Sequence, residues 1–227
     1  MRSYAKIIDM LRDVPFVEKE FYHLYNRGVD KRKIFDSSKD YQRFLILLYL
    51  CNSDLDVRVA DILKSLAFEE VFIRERGSPL IAIGAFCLMP NHFHILATPL
   101  VENGLSKFML KLQTGYSMYF NTKNDRDGSL FQGPFKSEHA GDDRYLKYLF
   151  SYIHLNPAKL KDPNWKEKIV TKRGALKKFV EVYSYSSLQE YLSDEHVITA
   201  PESFPKYFSS KKEVEEHITD WLEAPEF

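Results

Sequence analysis

A chain of 227 residues with 44% apolar content can bury one substantial core, and no run in it approaches the ~20 apolar residues needed to cross a bilayer. Its 32 basic residues balance its 32 acidic ones, which excludes a uniformly basic surface of the histone kind. Two cysteines, Cys51 and Cys87, have neither the number nor the spacing of a disulfide framework or a zinc knuckle, so a reducing, cytoplasmic setting without a membrane partner is expected.

FYHLYNRG (21–28) alternates aromatic and polar residues and ends in Asn-Arg-Gly, which predicts a strand running into a turn. DYQRFLILLYLCN (40–52) follows the capping stretch SSKD and is apolar on most sides, which predicts a buried helix. Residues 53–79 read as an excursion from the core, with a short helix in VADILKSL and a strand in EEVFIRE. LIAIGAFCLMP and HFHILATP (80–99) are two strand-like runs joined at Pro90-Asn91, an antiparallel pair. A helix follows, with apolar residues at 105, 108, 109, 112, 116, 119 and 120, and closes in the polar loop NDRDGS.

LFQGPFKSEHA is the next strand candidate, and DDRYLKYLFSYIHLNP (142–157) a helix capped by Asp142 or Asp143 and cut short by Pro157. The order strand, helix, paired strands, helix, strand is that of an α+β fold with a ferredoxin-like (RRM-like) antiparallel sheet and helices on one face. An additional helix then leads into Asn156. We divide the chain into a domain over 1–157, with an insertion at about 53–79, and a C-terminal extension over 158–227 made of a basic loop, YSYSSLQEYL and a final amphipathic helix. The extension is electrically split: eight Lys or Arg against two acidic residues from Lys159 to Lys178, then eleven acidic against three basic from Phe179 to Phe227. A positive patch beside an acidic tail suits a polyanion, and equally a solvated loop.

In a strand, alternate side chains share a face, so His92 and His94 present two nitrogens side by side while Phe93 points the other way. Alone, the pair fits hydrogen-bonded or half-exposed histidines as well as it fits half of a metal site. Spacing removes several histidine chemistries: no third alternating histidine follows, no second His-x-Ser/Thr repeat accompanies His217-Ile218-Thr219, and His-Glu-x-x-His is absent. What remains is a pair in need of a third ligand and a reactive group. Tyr152 and Asn156, one helical turn apart, offer a phenol and an amide oxygen on one face. The stripe Tyr145, Tyr148, Tyr152 is also a packing pattern, and Asn before Pro a common helix exit.

YHLYNRG, GAFCLMPNHFHIL, SYIHLNP and YSYSSLQEYL, taken together and in this order, resemble the single-tyrosine HUH (histidine, hydrophobic, histidine) transposases, and most closely the REP-associated tyrosine transposase branch, over roughly residues 20–192. The resemblance implies that His92 and His94 are metal ligands, that Tyr152 is the nucleophile and that Asn156 completes or supports the metal site. It implies Mg2+ or Mn2+ as cofactor, and single-stranded DNA carrying a hairpin as substrate, with a 5′-phosphotyrosine and a free 3′-hydroxyl after cleavage. A homodimer that exchanges the tyrosine helix and a monomer are both compatible with it.

DNA contacts are expected from Arg27, Lys31, Arg32 and Lys33 after the first strand, Lys107 and Lys111 on the second helix, Lys136, and Lys172 and Arg173 in the basic loop at 159–178. Gly133-Pro134-Phe135-Lys136 departs from relatives that carry a basic residue there, which puts one phosphate contact in doubt. Tyr148 is read as packing, His154 as facing away from Tyr152, and His139 is left unassigned. Two rival functions stand beside this one. A nucleic-acid-binding module that has lost cleavage is disfavoured by the intact His92, His94, Tyr152 and Asn156 set. An HUH nickase of the replication-initiator or relaxase type is disfavoured by the short chain and the four-segment resemblance.

Overall fold

The structure, a computed structural model, describes residues 15–166 and 173–223. Strand β1 (Tyr22–Arg27) leads through a 3-10 turn into helix α1 (Ser38–Leu50), capped by Ser37. After the short helices α2 (Val59–Ile62) and α3 (Phe68–Val71) come β2 (Ile81–Met89), β3 (His92–Pro99) and the long helix α4 (Gly104–Lys123). Then follow β4 (Lys136–His139), α5 (Asp143–Leu155), α6 (Ala158–Lys161), α7 (Arg173–Glu181), α8 (Leu188–Ser193) and α9 (Lys211–Glu223). The four strands form one antiparallel sheet in the order β2-β3-β1-β4, the ferredoxin-like arrangement expected from the element order.

Strand alternation divides the interior into two layers. Phe93, Ile95 and Ala97 of β3 join Leu24 of β1 in a core with Phe44, Leu47 and Leu48 of α1 and Leu105, Phe108, Met109 and Leu112 of α4. Leu96 of β3 and Ala85, Cys87 and Met89 of β2 face the other way, onto Leu146, Leu149, Phe150 and Ile153 of α5. The ferredoxin-like helices therefore do occupy one face, and the additional helix covers the other. Asp142 caps α5, its carboxylate accepting from Tyr145 N at 2.8 Å.

The strand expected in EEVFIRE is absent: Phe68–Val71 is a helical turn. Phe68, Val71 and Phe72 recur at helical spacing and pack with Ile46, Leu50 and Ile62, so burial on one side of a turn overrides the residues' strand preference. The strand expected in LFQGPFKSEHA is confined to Lys136–His139, because Gly133 turns the chain at φ 79° just before it.

The outer edge of β2 is covered by the C-terminal extension. Leu88 N donates to Tyr185 O at 2.8 Å, Ser187 N to Phe86 O at 3.0 Å and Ala200 N to Ile83 O at 2.8 Å. A third cluster, with Val214, Ile218 and Leu222 against Leu155, Trp165, Leu176 and Val180, ties α9 to the end of α5. Among the described residues no helix is long and apolar enough to cross a membrane.

Asp40, fully buried at the start of α1, anchors α4: its carboxylate accepts from Lys123 Nζ at 2.7 and 2.8 Å and from Tyr119 Oη at 2.8 Å. Burial pushes this carboxyl up, but Lys123, Tyr119 and the Asp36 and Ser37 groups outweigh it and hold it below its ordinary value. Asp40→Ala is expected to cost about 3 kcal/mol at pH 7 in urea denaturation, at the low end for a broken buried pair because Lys123 is partly exposed. A depressed carboxyl stabilises above its unfolded value and loses that contribution as pH falls through the folded one, so the gap between wild type and variant should close below about pH 4.

Candidate active site

Residues directly opposite each other in an antiparallel pair share a face. The register sets Arg27 against His92, Tyr25 against His94 and Lys136, and His23 against Glu138. One sheet face thus gathers His23, Tyr25, Arg27, His92, His94, Lys136 and Glu138, beside the apolar patch that receives α5. Tyr152 stands edge-on over this surface, its ring centroid 5.4 Å from His94 and 5.9 Å from His23. The helix bearing Tyr152 packs on the sheet bearing the same chain's histidines.

The side-chain bonds determine which nitrogens are available. Asn91 Nδ2 donates to Lys31 O at 3.2 Å, which turns its Oδ1 toward His92 Nδ1 at 2.6 Å. An amide oxygen only accepts, so His92 carries its proton on Nδ1 and Nε2 keeps a lone pair. His94 Nδ1 lies 2.8 Å from His23 Nε2, and His23 Nδ1 faces Glu138 Oε2 at 3.9 Å. With the proton of His94 on Nδ1, donated to His23 Nε2, and that of His23 on Nδ1, turned toward Glu138 but beyond hydrogen-bond reach of it, His94 Nε2 is also bare. A carboxylate-histidine-ligand series of this kind commonly orients metal-binding imidazoles.

Burial keeps these rings neutral: it lowers His92 and His23 to about 4 each and His94 well below its ordinary value. Arg27 and Lys159 add to the effect on His92, whereas Glu138 opposes it on His23. Glu138 itself accepts from Tyr25 Oη at 2.7 Å and Tyr145 Oη at 3.0 Å. Burial raises Tyr152 above its ordinary value, with Asn156 and Arg27 acting in the opposite direction.

Asn156 is 1% exposed; its Nδ2 donates to Tyr152 O at 2.9 Å and its Oδ1 accepts from Lys159 Nζ at 3.3 Å. Among the described residues it makes no hydrogen bond to His92 or His94, so its amide is held by the helix end and by Lys159. No three His, Cys, Asp or Glu side chains among the described residues converge as a metal cluster. Two neutral imidazoles with free Nε2 atoms are donors a divalent ion would accept, whereas the Asn156 amide oxygen is engaged by Lys159.

The expected DNA contacts separate into those near this face and those away from it. Arg27 and Lys136 lie on it, and Lys31, Arg32 and Lys33 follow in a loop whose Ile34 N bonds to Pro90 O at 2.8 Å, beside the turn before His92. Lys107 and Lys111 belong to α4, under the opposite face, and the Lys111 ammonium donates to Ser53 O at 2.8 Å and Leu55 O at 2.6 Å. That lysine pins the 53–79 excursion to the core. Arg173 opens α7, while Lys172 lies outside the described residues. His139 bonds to Glu20 at 2.6 Å on the far side of β4, and His154 is fully buried, 2.7 Å from Ser187 Oγ. Tyr148 stacks between Tyr145 and Tyr152.

His23, Tyr25 and Glu138 carry no local pattern that marks them as site residues, and Lys159 and Lys166 fall within the basic loop 159–178 offered to DNA, without a pattern that picks out either one. The signal for His23 was present in YHLYNRG, where His23, Tyr25 and Arg27 alternate in phase, but it needed the register with β3 to become legible.

Residues 19–156 match a family profile described as "Transposase IS200 like". No curated protein gives a significant match. A solved structure of a REP-associated tyrosine transposase bound to a REP hairpin is similar at 14% identity with a TM-score of 0.50, over 88% of this chain and 94% of that one. At that identity the likeness concerns the fold.

Proposed function

Because the chain belongs to the family of IS200-like transposases, we propose that it cuts and rejoins single-stranded DNA with Tyr152 as nucleophile, in the manner of the REP-associated branch. The observation that carries this reading is the placement of the Tyr152 ring 5.4 Å from His94, on the face where His92 and His94 keep bare Nε2 atoms. Tyr152 Oη attacks the scissile phosphorus, an Oη–P bond forms and the P–O3′ bond breaks. The phenol proton is accounted for on the departing 3′-oxygen. The product is a 5′-phosphotyrosine and a free 3′-hydroxyl, so the phosphodiester is conserved for rejoining and no water is consumed.

His92 and His94, with Asn156 as oxygen donor or support, would hold a Mg2+ or Mn2+ ion. Such an ion supplies Lewis-acid polarisation of the phosphate and charge stabilisation in the transition state. The chain's own residues do the rest. Glu138 and His23 orient His94, Asn91 orients His92, Arg27 and Lys136 border the site with positive charge, and α5 holds the phenol against the imidazoles. The described parts of the C-terminal extension, residues 158–166 and 173–223, hold the end of α5 in place, and hairpin DNA is the substrate class that this reading assigns.

The test is incubation with Mn2+ or Mg2+ and a labelled single strand carrying a hairpin. A covalent protein-DNA adduct is expected, dependent on the ion, and formed faster with the hairpin than with a scrambled strand. An intact protein that binds the strand yet forms no adduct with either ion would favour the binding-module alternative. His23→Ala should weaken Mn2+ binding roughly 10–100-fold, as loss of a ligand-orienting partner does. Titration followed by the Mn2+ electron-spin resonance signal measures this without reference to cleavage.

A further inference from the structure

The matched family segment ends at residue 156, and directly after it the chain brings two ammonium groups onto the nucleophile. Lys159 Nζ lies 5.3 Å from the Tyr152 ring centroid, and Lys166 Nζ lies at the same distance of 5.3 Å. Together with Tyr148, Leu155, Asn156, Trp165 and Trp221 they line one small recess at the end of α5. Trp165 is 2% exposed and forms part of the wall, with the Lys166 ammonium 5.6 Å from its ring. Trp221 of α9 closes the recess from the other side, 5.5 Å from Tyr148.

Two like charges held beside one phenol, in a partly dehydrated recess, are complementary to an anion seated at that phenol. The ring faces take part of the positive charge. A monoanionic phosphodiester fits the requirement, before attack as the scissile group and after it as the phosphotyrosine ester.

We propose that Lys159 and Lys166 form a two-ammonium clamp on the reacting phosphodiester of DNA, delivered by the C-terminal extension to the Tyr152 side of the phosphate while the histidine face holds the other side. The inference rests on the proposed function in taking DNA as the anion. Lys159 has a second contact, the 3.3 Å bond to Asn156 Oδ1, and so couples the clamp to the amide.

Two measurements test the clamp on the full chain. In chelator, fluorescence anisotropy of a labelled hairpin-bearing single strand gives the slope of log affinity against log salt. Lys159→Gln with Lys166→Gln should make it shallower by about 0.7, the increment for one phosphate on a single strand. In Mn2+ at saturating DNA, single-turnover adduct formation should slow by roughly 10²–10³-fold in the double variant, by roughly 10-fold or more in Lys166→Gln alone, and by less than about 10-fold in the charge-retaining double arginine variant.

A correctly folded double glutamine variant with the wild-type slope and rate would overturn the proposal. A shallower slope with an unchanged rate would also overturn it, by moving the contact to a phosphate other than the reacting one. If wild type itself gave no adduct, the strand-cleavage reading would fall, and an unchanged salt slope would then separately remove the clamp.

Discussion

Tyr152→Phe is expected to abolish the covalent adduct, lowering its rate by at least about 10⁴-fold while leaving DNA affinity within roughly threefold of wild type. The substitution removes one oxygen and little else. Tyr152 packs by its ring against His94, His23 and Tyr148, and phenylalanine preserves those ring contacts. Among the described residues, the phenols of Tyr25 and Tyr145 are engaged in donating to Glu138, and burial together with that carboxylate pushes Tyr25 up to about 12. Gel analysis of the adduct in Mn2+, with anisotropy on the same preparation, checks the result. A Tyr152→Phe protein that still joins to DNA at the wild-type rate would move the nucleophile elsewhere.

His92→Ala combined with His94→Ala is expected to weaken Mn2+ binding by more than about 100-fold and to abolish cleavage with it. Loss of a partner that merely orients a ligand costs roughly 10–100-fold, and here the two bare Nε2 atoms themselves are removed. The single variants should differ in their effect on the fold. His94 is 6% exposed and hydrogen-bonded to His23, so its removal leaves a buried imidazole without its partner and should lower stability by about 1–3 kcal/mol. His92 bonds to Asn91 in the turn at the strand end, and its loss should cost less. Ion titration and urea denaturation on each variant separate lost ligation from lost folding. Undiminished ion binding in the double variant would remove the metal site from this face.

Local periodicity made much of the scaffold readable. Alternation in HFHILATP placed Phe93, Ile95 and Ala97 in the core, and they lie there, fully buried, against α1 and α4. The 3.6-residue period of α4 and the cap at Asp142 were read from neighbouring residues, where backbone geometry alone relates one side chain to the next. The same rule failed for EEVFIRE, whose β-branched and aromatic residues fit a strand until Ile46, Leu50 and Ile62 offered them a one-sided surface.

The sequence by itself therefore determined the order of the four sheet strands and of the helices that pack on them, the common face of His92 and His94, and the one-turn spacing of Tyr152 and Asn156, because each depends on dihedral geometry over a few residues. Only the tertiary structure decided that His23 and Glu138 stand behind His94, that Lys111 anchors the 53–79 excursion, and that Lys159 and Lys166 come to the Tyr152 ring. Those contacts depend on strand register and on the seating of the C-terminal extension against α5. Both are fixed by burial and hydrogen bonding between segments far apart in the chain, and no local spacing encodes them.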